Sequence, residues 1–85
     1  MPAEQIIMYG TTWCPDCARA RRLLDKYTVQ FTWNDIERDA NACAFVERVN
    51  RGNRSVPTLV FPDGSVLVEP SDSELEAKLR LAGLL

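Results

Sequence analysis

With 85 residues, a net charge of −2, an ordinary apolar content and no histidine, the chain reads as one domain over 1–85 with a single small core. The weak negative charge argues against nucleic acid as a partner, and no apolar run approaches the roughly 18 residues of a membrane span. The opening "MPAEQIIMYG" lacks a basic region followed by a long apolar stretch, so no secretion signal is expected and the expected compartment is the cytoplasm.

Gln5–Tyr9 is a short apolar run stopped by Gly10 and predicts a buried strand, with Gly10–Trp13 as the loop after it. From Pro15 the pattern turns helical. Cys17, Ala20, Leu23, Leu24 and Tyr27 share one face, and Arg19, Arg22 and Lys26 lie opposite. Pro15 suits a first helical turn, where its missing N–H costs nothing. Gln30–Asn34 is rich in β-branched and aromatic residues and predicts a second strand. The stretch "ERDANACAFVERVN" returns to helix, with Ala42, Phe45, Val46 and Val49 as its buried side. After the loop "RGNRSVP", "TLVF" and "VLV" flank the turn "PDGS" and predict a hairpin. The last helix opens with Ser71 and Glu74 in capping-box spacing, buries Leu75, Leu79 and Ala82, and stops at Gly83. The order βαβαββα predicts an α/β domain, a mixed four-stranded sheet flanked on both faces by three helices, entered through a right-handed βαβ unit.

Cys14 and Cys17 in "TTWCPDC" admit three readings. Structural zinc needs four ligands, and beyond this pair only Cys43 is a thiol. Packing suits Cys17, on the apolar helix face, but suits Cys14 badly. Redox chemistry fits both: a C-x-x-C pair where a strand meets a helix, near a βαβ pattern, is the thioredoxin-like signature. Cys14 then sits at the helix N-terminus, where unpaired N–H groups and the helix dipole favour a thiolate. Cys17, one turn deeper, reaches Cys14 but is reached less easily by substrate, so Cys14 attacks and Cys17 resolves. The Asp16 carboxylate opposes a neighbouring thiolate, and Arg19, Arg21 and Arg22 stand close enough to offset it. Arg21 is expected on a solvated face. In a reducing compartment these thiols are free at rest, and Cys43 is expected to be a small, partly buried hydrophobe.

"TTWCPDC" at a strand-to-helix junction, followed some forty residues later by "SVPT", resembles the glutaredoxins over Ile6 to Leu81. The resemblance implies a thioredoxin-like fold and a thiol–disulfide oxidoreductase that reduces mixed disulfides between proteins and a low-molecular-weight thiol. It implies that Pro57 is cis and that the Val56 backbone pairs with a bound thiol. It also implies that Ser71 and Asp72 match the polar pair that meets a small thiol. Trp13, Pro15, Asp16 and Arg54 complete the expected substrate-contacting set around the catalytic Cys14 and Cys17. Two departures stand out. Asp16 replaces an aromatic residue, and Glu69-Pro70 replaces the glycine pair that meets the γ-glutamyl end of glutathione. The run "VNRGNRSVPT" and the segment "PSDSELEAKL" resemble the mycoredoxin branch, which acts on mycothiol, a thiol borne on an uncharged sugar–inositol unit. Mycothiol or glutathione is thus the expected co-substrate, with no metal and no bound cofactor, and the protein is expected to be a monomer. Two other functions share the scaffold: a dithiol electron donor to ribonucleotide reductase, recharged by thioredoxin reductase, and an iron–sulfur-binding dimer.

Overall fold

The computed structural model, which describes residues 5–85, has the expected βαβαββα order. Its elements are β1 (Ile6–Gly10), α1 (Pro15–Lys26), β2 (Phe31–Asp35), α2 (Ala40–Val49), β3 (Thr58–Val60), β4 (Val66–Val68) and α3 (Asp72–Leu81). The secretion-signal expectation falls partly on residues 1–4, which lie outside the described residues.

The sheet runs β2-β1-β3-β4. β1 pairs parallel with β2 and antiparallel with β3, and β3 pairs antiparallel with β4. Alternation along β1 decides the layering. Ile6 and Met8 are fully buried and join Leu24, Leu59, Phe61, Leu75 and Leu79 in the larger core, beneath α1 and α3. Each such side chain contributes roughly 1.5–3 kcal/mol by leaving water. Tyr9 belongs to the other face, where α2 lays Ala42 and Val46 on Ile36 and Phe45 stacks on Tyr9 at 4.8 Å.

Four local expectations are corrected. β1 and β2 each lie one residue later than expected, because Gly10 and Asp35 continue the ladder while Gln5 and Gln30 are exposed. α2 starts at Ala40, not near Glu37, since the Asp39 carboxylate accepts the N–H groups of Asn41 and Ala42 and so caps the helix there. Val49 and Ala82, expected in the core, are exposed: each lies where its helix ends, Val49 in the last turn of α2 and Ala82 as the C-cap of α3. Arg21 is not simply solvated; its guanidinium lies 4.3 Å from the centre of the Trp33 ring, a cation–π contact.

Candidate active site

β1 leads through Thr11–Trp13 to Cys14, the N-cap of α1, in extended conformation with Pro15 in the first turn. The cap sulfur accepts the Cys17 N–H at 3.2 Å, so one orphan amide of the helix start is aimed at it. Both thiols are free, with Cys14 7% and Cys17 1% exposed. Cys14 therefore shows a small window to solvent, and Cys17 lies behind it.

Across from Cys14 stands the loop before β3. Its Val56–Pro57 bond is cis, as the resemblance implied, and the Val56 carbonyl oxygen lies 3.9 Å from the Cys14 sulfur, a long contact. Three hydrogen bonds anchor this loop. The Thr58 hydroxyl donates to the Ser55 carbonyl at 2.8 Å, the Asn50 amide donates to the Thr58 hydroxyl at 3.2 Å, and the Glu69 N–H donates to the Pro57 carbonyl at 2.8 Å. Glu69 thus adjoins the proline loop, and it holds φ at +49°, a left-handed conformation that favours glycine.

Burial pushes the Cys17 thiol up to about 12; a hydrogen bond to Cys14 and the negative charges of Cys14 and Asp16 act in the same direction, and the Thr11 backbone N–H acts against them. Cys17 keeps its proton near neutral pH. The room for its sulfur comes from Gly10: a Cβ there would fall 2.6 Å from Cys17 Sγ and 2.8 Å from the Trp33 ring. Sequence reasoning took Gly10 only as a strand stop. A glycine that instead continues a buried strand signals such a close approach.

Asp16 is paired. Arg19 donates to its carboxylate at 2.9 Å and to Asp72 at 3.2 Å, which ties the start of α1 to the start of α3. Ser71, expected to meet substrate, spends its side-chain oxygen on the Glu74 N–H at 3.1 Å as the cap of α3. The structure thus brings Ser71 and Asp72 to the site's rim through Arg19, with their side chains already partnered.

On the α2 side a cleft of about 890 Å³ opens beside the site, lined among others by Thr11, Trp13, Glu37, Arg54 and Val56. Trp13 is 67% exposed, and its indole N–H donates to both carboxylate oxygens of Glu37 at 3.0 and 3.1 Å. Arg54 reaches the cleft paired with Glu47 at 2.7 Å. Thr11 is buried, and its hydroxyl has no partner among the described residues. Glu37 and Thr11 escaped sequence reasoning: Thr11 opens the "TTWCPDC" run but carries neither thiol nor charge to mark it, and Glu37 meets Trp13 across 24 positions.

A family model described as Glutaredoxin matches residues 6–67. The chain is 43% identical over 84 residues to "Putative glutaredoxin Rv3198A" of Mycobacterium tuberculosis, covering 98% of this chain and 100% of that one. It is 35% identical over 76 residues to Mycoredoxin 1 of Corynebacterium glutamicum, covering 89% of this chain and 94% of that one. Among solved structures, a glutaredoxin from Archaeoglobus fulgidus superposes with a TM-score of 0.74 at 26% identity, over 92% of this chain and 88% of that one.

Proposed function

Because this chain belongs to the glutaredoxin family and is a thiol–disulfide oxidoreductase, we propose that it reduces mixed disulfides between proteins and a low-molecular-weight thiol, and that it prefers a sugar-linked thiol of the mycothiol type to glutathione. The observation that carries the reading is the asymmetry of the two sulfurs. Cys14 is the helix cap with an N–H at 3.2 Å, whereas Cys17 is buried and holds its proton.

Cys14 as thiolate attacks the sulfur of the small thiol in a protein mixed disulfide. A Cys14–thiol disulfide forms, the old S–S bond breaks, and the protein sulfur leaves with the electron pair and takes up a proton. A second small thiol then attacks the adduct, releasing the oxidised thiol as its symmetrical disulfide and returning Cys14 to thiolate. Alternatively Cys17 gives up its proton and attacks Cys14, releasing the small thiol and closing a Cys14–Cys17 disulfide. Burial of Cys17, the largest cause of its raised thiol and one that adduct formation at Cys14 does not remove, disfavours its attacking form and so supports the first route near neutral pH. Val56, beside Cys14, offers its backbone to the bound thiol, while Trp13 and Arg54 line the cleft for the rest of it.

The thiol preference rests on Glu69. Its backbone adjoins the Pro57 loop, and in the sequence it takes the place of a residue of the glycine pair that, by the family resemblance, meets an anionic γ-glutamyl group, which a carboxylate would repel. An uncharged sugar escapes that repulsion. The test is kcat/KM for mycothiol and glutathione mixed disulfides on wild type and on Glu69→Gly. Glycine suits the left-handed conformation at this position, so the variant removes the carboxylate without new backbone strain. Glutathione turnover should rise roughly tenfold with little change for mycothiol, as one like-charge contact of about 1 kcal/mol or more implies. A wild-type preference for glutathione would overturn the reading.

A further inference from the structure

We propose that Trp33, braced by Arg21, is the positioning residue of Cys17: its ring walls the resolving sulfur off from water and so holds the protein to the route in which a second small thiol clears the Cys14 adduct. The inference rests on the roles given above to Cys14 and Cys17, and it names what enforces them.

The geometry starts at Gly10. A Cβ there would fall 2.6 Å from Cys17 Sγ, 2.8 Å from Cη2 at the edge of the Trp33 ring and 3.0 Å from its neighbour Cζ3. The sulfur, coming from α1, and the ring edge, coming from β2, thus converge on one point. Trp33 pairs with Met8, and Met8 and Gly10 share one face of β1, so the ring reaches along the sheet to the residue that lacks a side chain. Any side chain at position 10 would part sulfur and ring. A sulfur at the edge of an aromatic ring is itself a favourable contact.

Arg21 stands one helical turn beyond Cys17 on the same side of α1, and its guanidinium lies 4.3 Å from the centre of the Trp33 ring. α1 therefore grips Trp33 at two points, the edge by a sulfur and the face by a cation. β2 is an edge strand of the sheet, and Trp33 is half-buried there, packed against the core that holds Cys17. Cys17 behind it is 1% exposed. Burial is the foremost cause of its raised thiol, and the ring is a part of that burial that one substitution lifts without touching either sulfur.

The step restrained is closure. Cys17, as thiolate, attacks the Cys14 sulfur of the adduct. The Cys14–Cys17 bond forms, the Cys14–S–R bond breaks, and R–S⁻ leaves with the electron pair and is protonated by solvent. Water admitted beside Cys17 favours its thiolate and speeds this step.

The test follows closure directly. Reduced protein in a Cys43→Ser background is mixed with bis(2-hydroxyethyl) disulfide, a small uncharged probe, at one neutral pH, quenched with acid at intervals and read by intact mass. Trp33→Leu should convert its Cys14 adduct into the Cys14–Cys17 disulfide about tenfold faster than the parent protein, as a tenfold larger thiolate fraction implies. Trp33→Phe, which keeps a ring against the sulfur, should stay near the parent rate. Arg21→Met leaves the core intact, so it serves even if Trp33→Leu folds poorly, and it should quicken closure by about threefold, the worth of a cation–π contact. In Trp13→Phe protein, where Trp33 is the sole tryptophan, forming the disulfide should also quench Trp33 emission. Unchanged or slower closure in folded Trp33→Leu or in Arg21→Met would overturn the proposal, as would Trp33 emission indifferent to the disulfide. Equal gains in Trp33→Leu and Trp33→Phe would do the same, since they would reflect lost volume and not a lost ring. A probe adduct on Cys17 in place of Cys14 would overturn the roles proposed above, and this inference with them.

Discussion

Two helix starts in this molecule are built on one plan and do opposite things. At α1 the cap is Cys14 and its side chain accepts the N–H of Cys17, three residues on. At α3 the cap is Ser71 and its side chain accepts the N–H of Glu74, also three residues on. The difference lies in what the third residue returns. Glu74 sends a carboxylate oxygen back to the Ser71 N–H at 2.8 Å, which closes the capping box and satisfies both donors. Cys17 instead turns its sulfur inward, into the space left by Gly10. The same cap geometry thus yields a closed structural end when it is filled with oxygen. Filled with sulfur, it yields an exchangeable pair.

The sharpest way to break the comparison is to put oxygen into the reactive cap. Cys14→Ser keeps a good capping residue, so the melting temperature should change little, while mixed-disulfide reduction should drop to the uncatalysed background. Thermal unfolding and a turnover assay on one preparation check both halves. Gly10→Ala comes next. The added methyl meets Cys17 Sγ at 2.6 Å and the Trp33 ring at 2.8 Å. Overpacking of this kind costs about 1–3 kcal/mol, read by urea denaturation, and should also slow closure of the Cys14–Cys17 disulfide by displacing Cys17. At the closed end, Ser71→Ala should cost about 1 kcal/mol, the usual worth of a lost cap.

The last effect is one of pH. The Cys17 thiol is raised in the folded protein from an ordinary 9.0 to about 12. The folded state therefore holds a proton that the unfolded state has released. The stabilisation is complete below about pH 9 and is lost as pH rises from there towards 12. Melting temperatures measured between pH 8 and about 10 should fall more steeply for wild type than for Cys17→Ala, in which that group is absent. Parallel slopes would mean that the thiol is not held back by its surroundings.

Most of the fold was legible because periodicity does not depend on distant partners. Cys17, Ala20, Leu23 and Leu24 form the buried side of α1 as their spacing predicts, and the Ser71–Glu74 box is entirely local. The placement of Cys14 and Cys17 at the start of α1 and the cis Pro57 were legible for a related reason, since each lies within a short motif tied to one junction. What escaped was set by contacts between elements. Gly10 matters only because Cys17 and Trp33 converge on it, and Trp13 finds Glu37 from across the β2–α2 turn. Arg21, on α1, meets a partner, Trp33, that arrives from a separate element, strand β2, and so could not be read from helical spacing. Ser71 and Asp72 were placed at the right corner, but their existing partners, Glu74 and Arg19, could not be weighed from spacing alone.

The pairing of Tyr9 with Thr58 joins the two halves of the site. One strand runs on from Tyr9 to the Cys14 sulfur, and the other begins just after the Val56 carbonyl that faces it. The spacing between sulfur and carbonyl is thus a property of the weave of the sheet and not of either loop. Slipping one strand past the other by a single residue would carry the sulfur about 3.4 Å along the sheet and turn every side chain of that strand to the opposite face. Reactivity and folding share that one register, so a chain that pairs these strands wrongly loses its core and its chemistry in the same step.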